Sequence, residues 1–245
     1  MHLYDILLAL HVGIGTVALS AFWVTAVLRK GTPQHRRIGG VYLLAMLGIL
    51  LTAVPMAVFA FFRGNAALGV FLLYLALVTG TAAWLAFRAV RRRSSFDSYI
   101  AMPYQPLAWL NLAAGATVLL LGVVEGDLIL QGMSVIGLSL GYRMTRVARY
   151  RGALDRNWWL QRHYTGIIGS GAAAHIAFLN LGLRHLVPAS WFQLIAYVAW
   201  FAPVVASAAV VIYLNRRYRR TARTAGAAAQ TPAPGHSGQA LTMER

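Results

Sequence analysis

The sequence predicts an all-α fold, a polytopic membrane bundle of seven transmembrane helices. Three observations predict it. Of the 245 residues, 59% are hydrophobic and 11% charged, whereas an ordinary soluble domain is about a quarter charged. Mean hydropathy is +0.61. The apolar residues also gather into runs of roughly 20, the length of a bilayer crossing, and no stretch alternates as a strand does.

The first run, 4–28, lacks a basic leader and stays apolar beyond the length of a signal-peptide core, so it reads as a retained helix. The second, 38–62, contains Pro55, which should kink it. Further runs cover 67–87, 104–124 and 128–147, the last with Gly137 and Gly141 as a small-xxx-small pair suited to close helix packing. The sixth, 162–187, is slimmed by Gly166, Gly169, Ser170 and Gly171, and the seventh, 190–214, contains Pro203. The membrane domain accordingly covers 1–223. Residues 224–245, rich in Ala, Gly, Pro, Thr and Gln, read as a disordered cytoplasmic tail.

Lysine and arginine number 22 against 6 acidic residues, a net charge of +16. In a soluble chain this would suggest nucleic acid. Here the arginines fall in the short gaps between apolar runs, concentrated in the first, third and fifth gaps and the tail. The positive-inside rule then puts the amino terminus outside and the carboxyl terminus in the cytoplasm of a bacterial inner membrane. The expected partners are anionic lipid headgroups and no nucleic acid.

Composition also removes chemistries. With no cysteine, disulfides, iron–sulfur clusters and thiolate metal sites are excluded. Asp5, Glu125 and Asp127 lie at the outer ends of the runs, and Asp97, Asp155 and Glu244 on the cytoplasmic side. A proton or sodium relay would want a carboxylate near midplane, and for transport only Asn111 and Asn180 remain as polar residues within spans.

Histidine is what remains. His2, His185 and His236 read as solvated or interfacial. His11 lies about 10 Å below the outer edge, and His175, on a span running the other way, about 16 Å below it. His35 and His163 belong at the cytoplasmic interface. Two stacked imidazole pairs are what axial ligation of b-type haem requires, with Arg36, Arg37 and Arg162 available for the propionates. The competing reading makes each histidine an interhelical hydrogen-bond partner. Twelve residues also separate His163 from His175, leaving them about 120° apart around one helix.

Around these histidines, Ala9-Leu-His-Val-Gly-Ile-Gly-Thr-Val-Ala-Leu19 and His35-Arg-Arg-Ile-Gly-Gly-Val-Tyr42 resemble a family of bacterial multi-pass membrane proteins of unknown function. Its pattern, a histidine in the first helix and H-R-x-x-G-x-x-Y entering the second, is met at His11, His35, Arg36, Gly39 and Tyr42. Trp159-Leu-Gln-Arg-His163-Tyr-Thr-Gly166, followed by Ser170, Ala177 and Phe178, is similar to a related motif of such proteins. The likeness covers about a third of the chain and implies no activity. A looser resemblance to di-haem b-type membrane cytochromes implies haem b on His11, His35, His163 and His175.

The expected function is therefore an integral membrane redox protein that binds b-type haem through paired histidines and passes electrons to a partner protein. The alternative is a non-catalytic lipid- or quinone-binding subunit. In it, Arg36, Arg37, Arg156 and Arg162 hold an anionic group beside Tyr42, at an arginine-rich cytoplasmic docking face. Whether the chain is an enzyme is left open.

Overall fold

In the computed structural model, residues 3–152, 154–155, 157–183 and 188–229 are described, with side chains outside 181–183, 189 and 219–229. The fold is all-α and 87% helical. The helices are α1 (Leu3–Val27), α2 (Pro33–Phe62), α3 (Ala66–Arg91), α4 (Phe96–Ile100), α5 (Tyr104–Val124), α6 (Leu128–Ala148), α7 (Trp158–Leu183) and α8 (Phe192–Ala229). By length and apolarity α1, α2, α3, α5 and α8 can each cross a membrane. Helices α6 and α7 coincide with the other two apolar runs but are more polar, carrying Gln131 and Arg143, and Gln161, Arg162 and His163 respectively. Large side chains such as Leu44, Leu51, Leu120 and Val205 stand exposed, the arrangement an apolar medium favours.

Local signals explain where elements begin. Helix α2 starts at Pro33, five residues before the expected 38, because Thr32 caps it by accepting from the His35 amide at 3.2 Å and proline suits the first helical turn. His35 thus belongs to the first turn of α2 rather than preceding the helix. Lys30, the chain's one lysine, donates to the Thr25 and Ala26 carbonyls at 2.6 and 2.7 Å, closing the end of α1. Asp127 caps α6 through the Ile129 and Leu130 amides.

Three elements depart from the sequence reading. The expected loop 88–103 contains α4, held by Arg88, which donates to the Tyr99, Ser98 and Ala101 carbonyls at 2.7, 2.7 and 2.9 Å. Helix α7 begins at Trp158, a turn earlier than expected. Helix α8 runs past 223 to Ala229, where an alanine-rich stretch favours continuation. Residues 230–245 of the expected tail lie outside the described residues.

Helix α7 is the shared wall of the bundle, packing against α3, α8 and α1. Its approach to α3 is possible only because of Gly166, where a Cβ would stand 2.5 Å from the Ala82 carbonyl oxygen. Gly141 plays the same part between α6 and α5, where a Cβ would meet the Ala108 carbonyl at 2.6 Å. The expected role of these small faces in close packing is what the structure displays.

Candidate functional site: a histidine pair and an arginine–tyrosine cluster

Helix α7 runs antiparallel to α3, since His163 faces Ala86 and Gly166 faces Ala82. Helix α3 follows α2 through a tight turn at Gly64, so α2 and α7 run parallel. Tyr42 bridges them, its hydroxyl 2.7 Å from Ser170 Oγ, a pair 128 positions apart. Going back two helical turns, seven residues on each helix, leads to His35 and His163. These are again 128 apart and on nearly the same faces, because seven residues turn a helix through about 700°. The two imidazoles come within electrostatic reach of each other.

Their nitrogens are unevenly used. His163 Nδ1 lies 3.2 Å from the Ala86 carbonyl oxygen. A carbonyl only accepts, so this nitrogen carries the hydrogen and Nε2 keeps its lone pair. His35 Nδ1 is buried without any hydrogen-bond partner. His163 thus has one N–H anchored on a backbone carbonyl, the arrangement that orients metal-ligating histidines, and His35 has a buried nitrogen with no partner.

The second expected pair is not assembled in the same way. His11 Nδ1 is 2.8 Å from Thr52 Oγ1. The single hydroxyl hydrogen of Thr52 goes to the Gly48 and Ile49 carbonyls, so His11 is the donor. His175 instead accepts from Trp23 Nε1 at 3.0 Å and donates from Nδ1 to the Gly171 carbonyl at 2.8 Å, with Phe22 edge-on at 5.4 Å. Both of its nitrogens are used. Trp23 is twelve residues from His11 on α1, about 18 Å along the axis. The 120° between His163 and His175 expresses itself as two faces of α7, one toward α3 and the other toward α1. Among the described residues, no three or more His, Cys, Asp or Glu side chains converge where a metal ion could sit. The four histidines are therefore not one metal set.

The arginines also divide. Arg36 and Arg37 are exposed on the first turn of α2. Arg162, one position from His163, points around the helix toward α4, α5 and α6. Trp158, one turn earlier on its face, packs on Tyr99 at 5.1 Å and on Phe96 at 5.2 Å. Tyr99 and Tyr104 are each 1% exposed, with rings 5.4 Å apart. Burial pushes the Tyr99 phenol well above its ordinary range, so it remains neutral. Arg162 lies within electrostatic reach of both tyrosines and of Arg143 on α6.

Sequence reasoning missed Tyr99, Tyr104 and Arg143 as site residues. The available signal was an aromatic pair flanking Met102-Pro103 opposite an arginine that ends an apolar run. Asn111 is fully buried and donates to Thr81 Oγ1 and the Leu107 carbonyl, while Asn180 donates to the Ile176 carbonyl. His2, His185, His236 and Arg156 lie outside the described residues.

The fold and site define a helical bundle with membrane-spanning character and a histidine pair at its arginine-rich end. No protein-family model, no curated protein and no solved structure matches this chain.

Proposed function

We propose that this protein is a seven-span redox protein of the bacterial inner membrane, with its amino terminus outside, that carries one b-type haem between His35 and His163. The observation that carries this reading is the pairing, on parallel helices, of the unpartnered buried Nδ1 of His35 with His163, whose ring is steadied by the Ala86 carbonyl and keeps Nε2 available. Haem iron held there would supply one-electron exchange. The chain's own part is to orient the His163 ring through the Ala86 carbonyl. Lys30, Arg36 and Arg37, all near the start of α2, bring positive charge for two propionates. The second haem of the di-haem likeness is not proposed, because His175 spends both nitrogens inside the bundle.

A reduced-minus-oxidised absorption spectrum of the full chain, purified in detergent from haem-replete cells, tests the reading. A Soret band with about one haem per chain is expected. A colourless preparation would end it, and stoichiometric zinc or copper without a Soret band would replace haem with a bare metal ion.

A further inference from the structure

Between α3 and α5 lies a polar pair that the haem reading leaves unused. Asn111 of α5 is 0% exposed and Thr81 of α3 2% exposed. Asn111 Nδ2 donates to Thr81 Oγ1 at 3.0 Å and to the Leu107 carbonyl at 2.8 Å. Because a carbonyl only accepts, the Leu107 bond fixes which way round the amide sits, and both amide hydrogens are then spent. Asn111 Oδ1, by contrast, is buried with no hydrogen-bond partner among the described residues. Thr81 accepts from an amide nitrogen that cannot accept in return, so the threonine hydrogen lies outside that bond. The interior thus holds an unmet acceptor beside a hydroxyl that can still donate. The neighbouring polar groups do not meet it. Tyr74 donates to the Met133 carbonyl at 2.7 Å and accepts from the Gly137 amide at 2.8 Å, while Ser134 donates to the Gln131 carbonyl at 2.6 Å.

We propose that Asn111 and Thr81 form a binding site for one water molecule, which donates to Asn111 Oδ1 and accepts from the Thr81 hydroxyl. Three properties of the site select water. The ligand must both donate and accept. It must be small, because α6 closes in at Gly137, where a Cβ would stand 3.2 Å from the Asn111 backbone oxygen. It must also be neutral, since α3, α5 and α6 carry no carboxylate and a cation unpaired in an apolar interior is costly. Two bonds to protein are within the range for buried water. In a bilayer core no bulk solvent reaches an orphaned carbonyl oxygen, so a bound molecule removes a penalty that the helices cannot relieve themselves. Asn111 is seven residues into α5, about 10 Å from its start. The site shares no residue with the histidine pair and does not depend on haem.

The test uses the full chain in detergent, with water itself as the probe. A density map of the wild type that resolves ordered water should show one molecule about 2.6–3.2 Å from both Asn111 Oδ1 and Thr81 Oγ1. Radiolytic footprinting gives a second reading, because hydroxyl radicals made from a bound water oxidise the side chains beside it. Mass spectrometry of the peptide that includes Leu107 and Leu112 counts that oxidation. Asn111→Leu/Thr81→Val, which replaces both polar groups, should lower it several-fold. Ser134→Ala, whose hydroxyl is spent within α6, should oxidise as wild type. Should the double variant lose its helical circular-dichroism signal, Thr81→Val alone, which keeps the side chain's shape, should give the same fall. A wild-type map with no density at that position, or with a protein donor against Oδ1, overturns the site. Oxidation equal in wild type and the folded variant also counts against it, and where the two readings disagree the map decides.

Discussion

His163 and His175 sit on one helix, twelve residues apart, and their environments differ in kind. His163 donates to a backbone carbonyl and keeps a nitrogen free, opposite a second imidazole that also has one free. His175 accepts from an indole and donates to a carbonyl, so its hydrogen-bonding capacity is spent. The difference comes from what each face of α7 meets. Toward α3, Gly166 brings backbones together and leaves a carbonyl as the available partner. Toward α1, Phe22 and Trp23 fill the space with rings. Availability for a ligand thus depends on the neighbouring helix more than on the histidine's depth in the bundle.

The comparison can be broken most severely at the α3 contact. Gly166→Leu places side-chain atoms where the Ala82 carbonyl and Ala86 stand, and should cost about 3 kcal/mol, the upper part of the overpacking range. Thermal unfolding in detergent measures it. Gly169→Leu, where a Cβ would meet only Ala82 Cβ at 3.8 Å, should be far milder. Equal losses at the two positions would mean that α7 does not rest on α3 as described.

Arg88→Met comes next, removing three charge-assisted bonds that dock α4, with an expected loss of about 2 kcal/mol. Faster proteolysis between α3 and α5 would accompany it. Tyr42→Phe removes the bridge to Ser170 between α2 and α7 and should cost about 1 kcal/mol, in keeping with interhelical hydrogen bonds in membranes. Unchanged stability there would weaken the register that brings His35 opposite His163. Trp23→Phe keeps an aromatic ring at the His175 contact, which is edge-on, and removes the indole N–H together with its five-membered ring, for about 0.6 kcal/mol from the lost hydrogen bond. Its smallness is the point, because that bond lies on an exposed face of α1.

Much of this was legible in the chain. The apolar runs located the long helices, with most ends within about five residues although α8 continues fifteen residues past the run that ends at 214, and the angle between His163 and His175 announced two faces. The seven-residue spacing of His35 from Tyr42, repeated by His163 and Ser170, already encodes a two-turn match between parallel helices. Depth counting paired His11 with His175 wrongly in register, because it assumes that helices start level. Trp23 instead of His11 stands beside His175. The arginine–tyrosine cluster was hidden for another reason. It needs α4 to fold Tyr99 back onto Tyr104, and that depends on Arg88 reaching carbonyls ten to thirteen residues away, which no local pattern displays.

The central claim is that one imidazole pair, and not two, is built to hold a ligand. The most direct test compares the Soret absorbance per chain of His35→Ala, His163→Ala, His11→Ala and His175→Ala with wild type, all purified from haem-replete cells. The account predicts that the first two lose the band while the last two keep it. Loss on removing His11 or His175, with the band intact in His35→Ala and His163→Ala, would contradict it.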